Sequence, residues 1–151
     1  MSAIKVRPAV PEDYRQWLLL WNSYLQFYKT EVEMTTTELT WKRVTAPDGD
    51  LRCVVSEDAS GRITGFAIYL FHQSSWAATW NCLVEDLYVA EYARGHGVAR
   101  HLLKAAFVDA DARDCYRVYW QTDETNANAR RLYDSIASRA PVVQYRLNRA
   151  G

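Results

Sequence analysis

Residues 84–103, VEDLYVAEYARGHGVARHLL, hold the most chemically informative pattern of this sequence. An apolar run, predicted to be a strand, leads through a basic turn with Gly95 and Gly97 into an amphipathic helix. Glycine lets a backbone approach a ligand closely and adopt turn conformations closed to other residues. A helix start presents unpaired N–H groups and the positive end of its dipole, and Arg94 adds a permanent charge. The pattern predicts a diphosphate site and hence a nucleotide-bearing cofactor.

The elements that position this turn follow from hydrophobic periodicity and turn signals. The sequence predicts helices that begin at residue 11 and that span 36–45, 97–112 and 126–138, with strands over 4–7, 51–56, 62–71, 80–89, 117–121 and 142–147. This order predicts mixed α/β layers in a single domain over residues 1–151. On the first helix one aromatic face is typical of a core, and it consists of Tyr14, Trp17, Trp21, Tyr24 and Tyr28.

Composition excludes several classes of protein. The chain has 151 residues, of which 49% are hydrophobic and 24% charged, and a formal net charge of zero. This balance indicates a soluble globular domain whose net charge does not favour binding to nucleic acid or to an anionic membrane. Three widely spaced cysteines argue against a disulfide framework and for the cytoplasm. No metal is expected, because the histidines and cysteines lack paired ligand spacing.

The glycine turn has two other possible interpretations. A dinucleotide-binding Rossmann motif fails, because Arg100 occupies the third glycine position and no acidic residue follows at the required distance. A purely structural turn without a ligand is the second alternative.

The order of elements, together with Arg94-x-x-Gly97-x-Ala99, resembles the GCN5-related N-acetyltransferase (GNAT) superfamily. Asn126-x-x-Ala129-x-x-Leu132-Tyr133 is similar to the second half of that family's acetyl-CoA site. Segments 71–76, 85–89, 119–122 and 132–134 are similar to the Hpa-type histone and polyamine acetyltransferases. The chain departs from many members at residues 135–138, Ser-Ile-Ala-Ser, where they carry Gly-Tyr or Gly-Phe. The resemblance implies the GNAT fold, a central mixed and mostly antiparallel sheet flanked by helices.

It also implies direct transfer of acetyl from acetyl-CoA to a primary amine, without an acyl-enzyme. Backbone groups of the turn would hold the pyrophosphate, and the strand before it would pair with the pantetheine amides as an added strand does. A backbone N–H near Val89 would stabilise the oxyanion, whereas the His96 side chain is expected to face solvent without an acid–base role. The implied cofactor-binding residues are Leu87, Tyr88, Val89, Arg94, Gly95, His96, Gly97, Val98, Ala99, Arg100 and Asn126.

Three residues carry the implied chemistry. About one alkylammonium in a thousand is deprotonated at pH 7, so the reaction needs a carboxylate that accepts the proton of the amine. Glu85 is the candidate base, because in an ideal strand its side chain lies on the same face as those of Leu87 and Val89. The alternative is that Glu85 only binds a cation. Asp86 points the other way unless a bulge intervenes. Tyr133 matches the tyrosine that serves as the general acid in the family; the alternative is a core tyrosine. Asn126 is expected to bind the cofactor, to cap its helix, or to do both.

The acceptor side is defined less sharply. Tyr24 and Tyr28 are expected near the substrate as cation–π partners, with His72 and Trp76 as further candidates. The expected substrate is a small-molecule amine such as a polyamine or amino acid. A protein lysine is the alternative, and a non-catalytic acyl-CoA-binding module is an alternative from another class. Glu31, Glu33, Asp123 and Glu124 could line a cationic acceptor's site. A homodimer that exchanges residues 142–147 is expected, unless these residues form an ordinary edge strand.

Overall fold

A computed structural model of the chain describes residues 3–149. Its strands are β1 (Lys5–Pro8), β2 (Leu51–Glu57), β3 (Ile63–Gln73), β4 (Trp80–Val89) and β5 (Arg117–Trp120). Its helices are α1 (Tyr14–Phe27), α2 (Met34–Val44), α3 (Val98–Ala112) and α4 (Ala127–Ile136), and short 3₁₀ turns cover Pro11–Asp13 and Glu91–Ala93. The predicted elements are confirmed up to residue 136, with β4 at its predicted bounds.

The sheet has the order β1-β2-β3-β4-β5. The first four strands pair antiparallel with their neighbours, whereas β4 and β5 are parallel. A mixed, mostly antiparallel sheet flanked by helices is therefore confirmed.

One face of the sheet packs against α1 and α2 through aromatic side chains. The Trp17 ring is fully buried and stacks on Trp21 at 5.2 Å and on Trp41 at 4.7 Å between ring centroids. Phe66 of β3 meets the Trp17 ring edge-on at 6.1 Å. Trp21 also donates through Nε1 to Thr37 Oγ1, 3.1 Å away, which joins α1 to α2. The tryptophans of the predicted stripe are thus core residues.

The start of α1 is tied to the sheet by an ion cluster. The Arg7 guanidinium donates to both carboxylate oxygens of Asp13, at 2.8 and 2.9 Å, and to Glu57 at 2.6 Å. The Arg7 side chain holds the pKa of Asp13 below its usual range, although burial opposes this shift. The cluster fixes where α1 begins, and thereby where its aromatic face meets the sheet.

The opposite face of the sheet packs against α3. Leu102, Leu103 and Ala106 are fully buried there. Tyr69 of β3 donates through its hydroxyl to Asp109 of α3, 2.9 Å away. This packing fixes the start of α3 relative to the end of β4.

The chain divides into two compact units at the boundary between Gln121 and Thr122. The first holds the sheet and helices α1 to α3, and the second holds α4 and the residues after it. The single domain expected from the sequence stays a prediction.

The strand predicted over residues 142–147 is wrong. Residues 137–149 form neither helix nor strand, and Val142, Val143, Tyr145 and Leu147 are 78–91% exposed. A run of β-branched and aromatic residues favours an extended backbone, but a strand also needs a neighbour that accepts its ladder of hydrogen bonds. The local pattern contains no information on that neighbour.

Along the part of the chain that the structure describes, no helix combines the length and apolarity needed to cross a bilayer. The same residues contain no group of three or more His, Cys, Asp or Glu side chains arranged to hold a metal ion.

Candidate functional site

The glycine turn between β4 and α3 owes its shape to backbone conformation. Gly95 and Gly97 have φ of +82° and +83°, a left-handed region that side chains with a Cβ rarely adopt. A Cβ at Gly95 would meet nothing within 4 Å, and one at Gly97 would lie 3.8 Å from His101 Nδ1. Glycine is therefore required at both positions by the backbone conformation and not by close contacts with neighbouring atoms. The space beside the turn is open.

The turn ends in the N-terminus of α3. Gly97 is the N-cap residue and offers no side-chain oxygen to the first turn of the helix. The first N–H groups of a helix have no partner within it and carry the positive end of its dipole. Val98 is buried and anchors this end of the helix under the sheet. The turn and the helix start together have the geometry that suits an anion, and His96 is exposed there, as predicted.

Arg94 ties the turn to the end of β4. Its Nε donates to the carbonyl oxygen of Val89, 3.0 Å away, and its guanidinium carbon lies 5.4 Å from the centroid of the Tyr88 ring. The sequence indicated only a charge at this position. The structure adds that the side chain holds the turn in place.

The far edge of β4 is available next to this turn. Strand β5 pairs with β4 only from Asn81 to Val84. Within the described residues, Leu87 to Val89 therefore lie beyond the last β4–β5 pair. An extended molecule with amide groups could pair with this edge as an added strand does. The residues present fit the pantetheine arm of acetyl-CoA here and its diphosphate at the adjacent turn.

A β-bulge interrupts β4 at the predicted carboxylates. Ile68 pairs with Asp86 and Tyr69 with Val84, so Glu85 is the extra residue. Leu87 and Val89 pair with Ala67 and Gly65, on the side where Gly65 meets Leu102 of α3. Asp86 pairs with Ile68 and keeps the face opposite Leu87 and Val89, as alternation predicts, whereas Glu85 has no partner among the described residues across the ladder. Asp86 lies on the α1 side, and Glu85 is exposed.

Asp86 is the carboxylate that the sequence reasoning passed over. The Tyr24 hydroxyl of α1 donates to Asp86 Oδ1 across 2.7 Å. Burial raises the pKa of Asp86 to about 6, opposed by the Tyr24 hydrogen bond and increased further by the nearby charge of Glu85. Burial and the adjacent Asp86 charge raise the pKa of Tyr24 above its ordinary value, so the phenol stays a donor. Alternation along β4 predicted the face of Asp86, but no local signal could have revealed Tyr24 as its partner, because the two residues are 62 positions apart.

The other residues predicted to contact the acceptor lie in separate parts of the structure. Tyr28 is 45% exposed and meets Tyr24 edge-on, with ring centroids 5.0 Å apart. His72 Nε2 lies 2.7 Å from the Tyr119 hydroxyl, which joins β3 to β5 on one face of the sheet. Trp76 is 81% exposed in the loop between β3 and β4. The structure thus brings Tyr24 and Tyr28 together beside the bulge, and their roles toward a substrate stay predictions.

The second unit holds the remaining predicted residues. The Asn126 side chain accepts from the backbone N–H of Ala129 at 3.3 Å and caps α4, one of the two roles expected for it. Asp123 accepts from the Thr125 N–H at 2.9 Å just before this cap. Tyr133 is half-buried on α4. A cofactor role for Asn126 and an acid role for Tyr133 stay predictions.

Comparison with known proteins gives a consistent result. The model of the acetyltransferase (GNAT) family matches residues 14–137. The D-amino-acid N-acetyltransferase HPA3 of Saccharomyces cerevisiae is 35% identical over 146 residues, which cover 96% of this chain and 91% of that protein. A crystal structure of a probable acetyltransferase has a TM-score of 0.85 at 24% identity, covering 97% of this chain and 99% of the other. The aminoglycoside N-acetyltransferase AAC(6')-Iy in complex with CoA has a TM-score of 0.84 at 15% identity, covering 99% and 97%.

Proposed function

The chain belongs to the acetyltransferase (GNAT) family, and from this premise we propose that it acetylates the primary amine of a small molecule, with an amino acid as the first candidate. It is an N-acetyltransferase whose co-substrate is acetyl-CoA. The observation that carries the proposal is the left-handed glycine turn at the start of α3, next to the part of β4 that lies beyond its last pair with β5.

We assign the holding of the co-substrate to the backbone of residues 87–89 and 94–100. Acetyl-CoA supplies an activated thioester carbonyl. The N–H groups of the turn and of the first turn of α3 are suited to a diphosphate, and those at the end of β4 are suited to amide groups and to a developing oxyanion. Asn126 is assigned a hydrogen bond to the co-substrate in addition to its role as a cap.

We assign Tyr133 as the acid that donates its hydroxyl proton to the departing sulfur. Tyr133→Phe should lower turnover by about 100-fold or more and leave the affinity for CoA nearly unchanged, because only one oxygen is lost. Single-turnover kinetics and calorimetric titration with CoA separate the two effects. Equal turnover in the variant would remove the assignment.

The choice of an amino acid rests on HPA3, the relative named as a D-amino-acid N-acetyltransferase, and on the two adjacent carboxylates at the bulge, which suit an ammonium group. The test is release of CoA thiol with a panel of D- and L-amino acids, polyamines, aminoglycosides and lysine peptides, with products identified by mass spectrometry. Acetylation of free amino acids at the highest kcat/KM supports the proposal. A preference for lysine peptides would contradict the proposal and would favour acetylation of protein lysines, the alternative acceptor given in the sequence analysis.

We further propose that the protein is a cytoplasmic homodimer. The exposed apolar side chains among residues 142–147 have the composition of a strand, and β5 is an edge strand of the sheet. In a dimer, residues 142–147 of one copy could pair with β5 of the other copy, and the same segment of the second copy could pair with β5 of the first. Light scattering of the full chain and of a chain ending at residue 140 tests this: a dimer that becomes monomeric on truncation supports it, and a monomeric full chain contradicts it. All three cysteines are free thiols, which suits the cytoplasm.

A further inference from the structure

The contact between Tyr24 and Asp86 joins two distant parts of the sequence beside the β4 bulge. The residues are 62 positions apart, and their 2.7 Å hydrogen bond connects α1 to β4. The neighbours of this contact include Ile68, which pairs with Asp86 across the ladder, and the aromatic rings that pack around Tyr24. A hydrogen-bonded carboxylate in such surroundings calls for a functional explanation.

Tyr24 has little freedom to release this hydrogen bond. Its ring packs against four other aromatic rings with centroids 5.0–5.8 Å apart, those of Trp21, Tyr28, Phe66 and Tyr88. Rings held on several sides keep one rotamer. The hydroxyl therefore stays near Oδ1 and restrains the Asp86 carboxylate at that oxygen.

The second oxygen of Asp86 has no such partner. Within the described residues, Oδ2 accepts no side-chain hydrogen bond. Neither Asp86 nor Glu85 belongs to any of the four ion pairs found between described residues. Two adjacent carboxylates, one of them half-buried and without a cation, form a site that lacks a positive charge.

Resting on the proposed acetyltransferase function, we propose that Tyr24 is a positioning residue that holds Asp86 to bind the acceptor's ammonium group and take its proton. In this step one N–H bond of the ammonium breaks, its electron pair stays on nitrogen, and the proton bonds to Asp86 Oδ2. The neutral amine is then the nucleophile. Glu85, the base expected from the sequence, lies one residue away at the surface and adds negative charge that attracts the cation.

The electrostatic surroundings of Asp86 agree with this role. The titratable groups that interact with it are Tyr24 from α1, Cys53 from β2 and Glu85 from β4, and none of these three is cationic. From β3, its direct neighbour across the ladder is the buried Ile68. A pKa of about 6 leaves Asp86 ionised at neutral pH and more basic than an exposed aspartate.

The first test measures the titration of Asp86 in the protein without acetyl-CoA. Protein labelled with ¹³C at the aspartate carboxyl carbons gives one resonance that disappears in Asp86→Asn and is thereby assigned. We expect its midpoint near pH 6. In Tyr24→Phe it should rise by about one pH unit, because the carboxylate loses a donor. An unchanged midpoint would overturn the positioning role.

Tyr14→Phe is the matched control for this test. Tyr14 also lies on α1, and its hydroxyl contacts Met34 Sδ at 3.9 Å rather than a carboxylate. The variant loses the same atom from the same helix and should leave the Asp86 midpoint in place. Circular dichroism confirms that each variant is folded, and the preserved ring at position 24 favours folding.

The second test adds propylammonium chloride as an acceptor probe. Binding next to Oδ2 stabilises the ionised carboxylate, so the Asp86 midpoint should fall, and it should fall less in Tyr24→Phe. A midpoint that the probe does not move would overturn ammonium binding at Asp86.

Kinetics then test the proton transfer with the best amine of the panel. Asp86→Asn should lower kcat/KM by about 100-fold or more, and Glu85→Gln by less than about 10-fold. In Tyr24→Phe the acidic limb of the kcat/KM profile should move upward together with the NMR midpoint. A larger loss in Glu85→Gln than in Asp86→Asn would return the base role to Glu85. If no amine is acetylated, the proposed function fails, whereas the two titrations still decide whether Tyr24 positions Asp86 toward an ammonium.

Discussion

The glycine turn and the β4 bulge lie on one strand–turn–helix unit, yet they arise differently. At the turn, Gly95 and Gly97 take φ values of +82° and +83° that only glycine adopts readily, so the residue types specify the geometry. At the bulge, Asp86 pairs with Ile68 and faces α1, and Glu85 is the extra residue next to it. The partner that gives Asp86 its properties, Tyr24, lies 62 positions away.

The difference separates two ways of building a site. A surface made of backbone N–H groups needs little beyond the right local conformation, and a short motif can encode it. A side chain with a shifted pKa needs burial and a specific neighbour, and both depend on the assembled core. The two regions should therefore respond differently to substitution.

The largest effect that the comparison predicts is at Gly97. Gly97→Val places a β-branched residue at φ +83°, so the turn must rearrange, and CoA affinity should fall by about 100-fold or more. Gly61→Val is the matched control, since Gly61 has φ +82° in the β2–β3 turn and, like Gly95, open space around its Cβ position. Calorimetric titration with CoA should show loss in the first variant only. Equal loss in both would mean that general strain, and not the phosphate turn, is being measured.

A smaller effect is expected at the bulge, and it depends on pH. Asp86 has a folded-state pKa of about 6 against an ordinary 3.8, so the folded state binds its proton more tightly than the unfolded state does. Its ionisation destabilises the fold as the pH rises through about 6. Asp86→Asn should gain stability over the native chain between pH 4 and pH 7 and keep it above, by about 3 kcal/mol at most.

Urea unfolding at pH 4 and at pH 8 measures this gain. Glu85→Gln is the control, because an exposed carboxylate should change stability by less than about 0.5 kcal/mol. A gain in Asp86→Asn that does not depend on pH would show that burial of this carboxylate has little cost. The properties of Asp86 would then not depend on its burial in the assembled core.

The smallest effect is expected at Gly95. A Cβ there would meet nothing within 4 Å, so Gly95→Ala should destabilise the fold by only about 1 kcal/mol, the conformational cost of a left-handed alanine. CoA affinity should decrease less than in Gly97→Val, whose residue also caps α3. Thermal unfolding and CoA titration check both. A loss of CoA affinity as large as that of Gly97→Val would show that the ligand itself approaches this position closely.

Local patterns went far toward the fold. The residues of β4 were predicted at their observed bounds, because apolar and β-branched residues between turn signals mark a buried strand. Trp17 and Trp21 were predicted to face the core from their helical spacing alone, and both are buried. Of the two roles considered for Asn126, the N-cap is confirmed, and cofactor binding stays a prediction. Residues 142–147 had an equally suggestive pattern and form no strand, since no pattern within a segment supplies its partner.

By itself, the sequence determined the family and the glycine turn, because both depend on residue types at short, fixed spacing. Only the tertiary structure decided which of two adjacent carboxylates meets Tyr24 and which remains exposed. Alternation along β4 already sets Asp86 on the face opposite Leu87 and Val89, but its burial and its hydrogen-bond partner come from the packing of α1 on the sheet, which the residues of β4 do not encode.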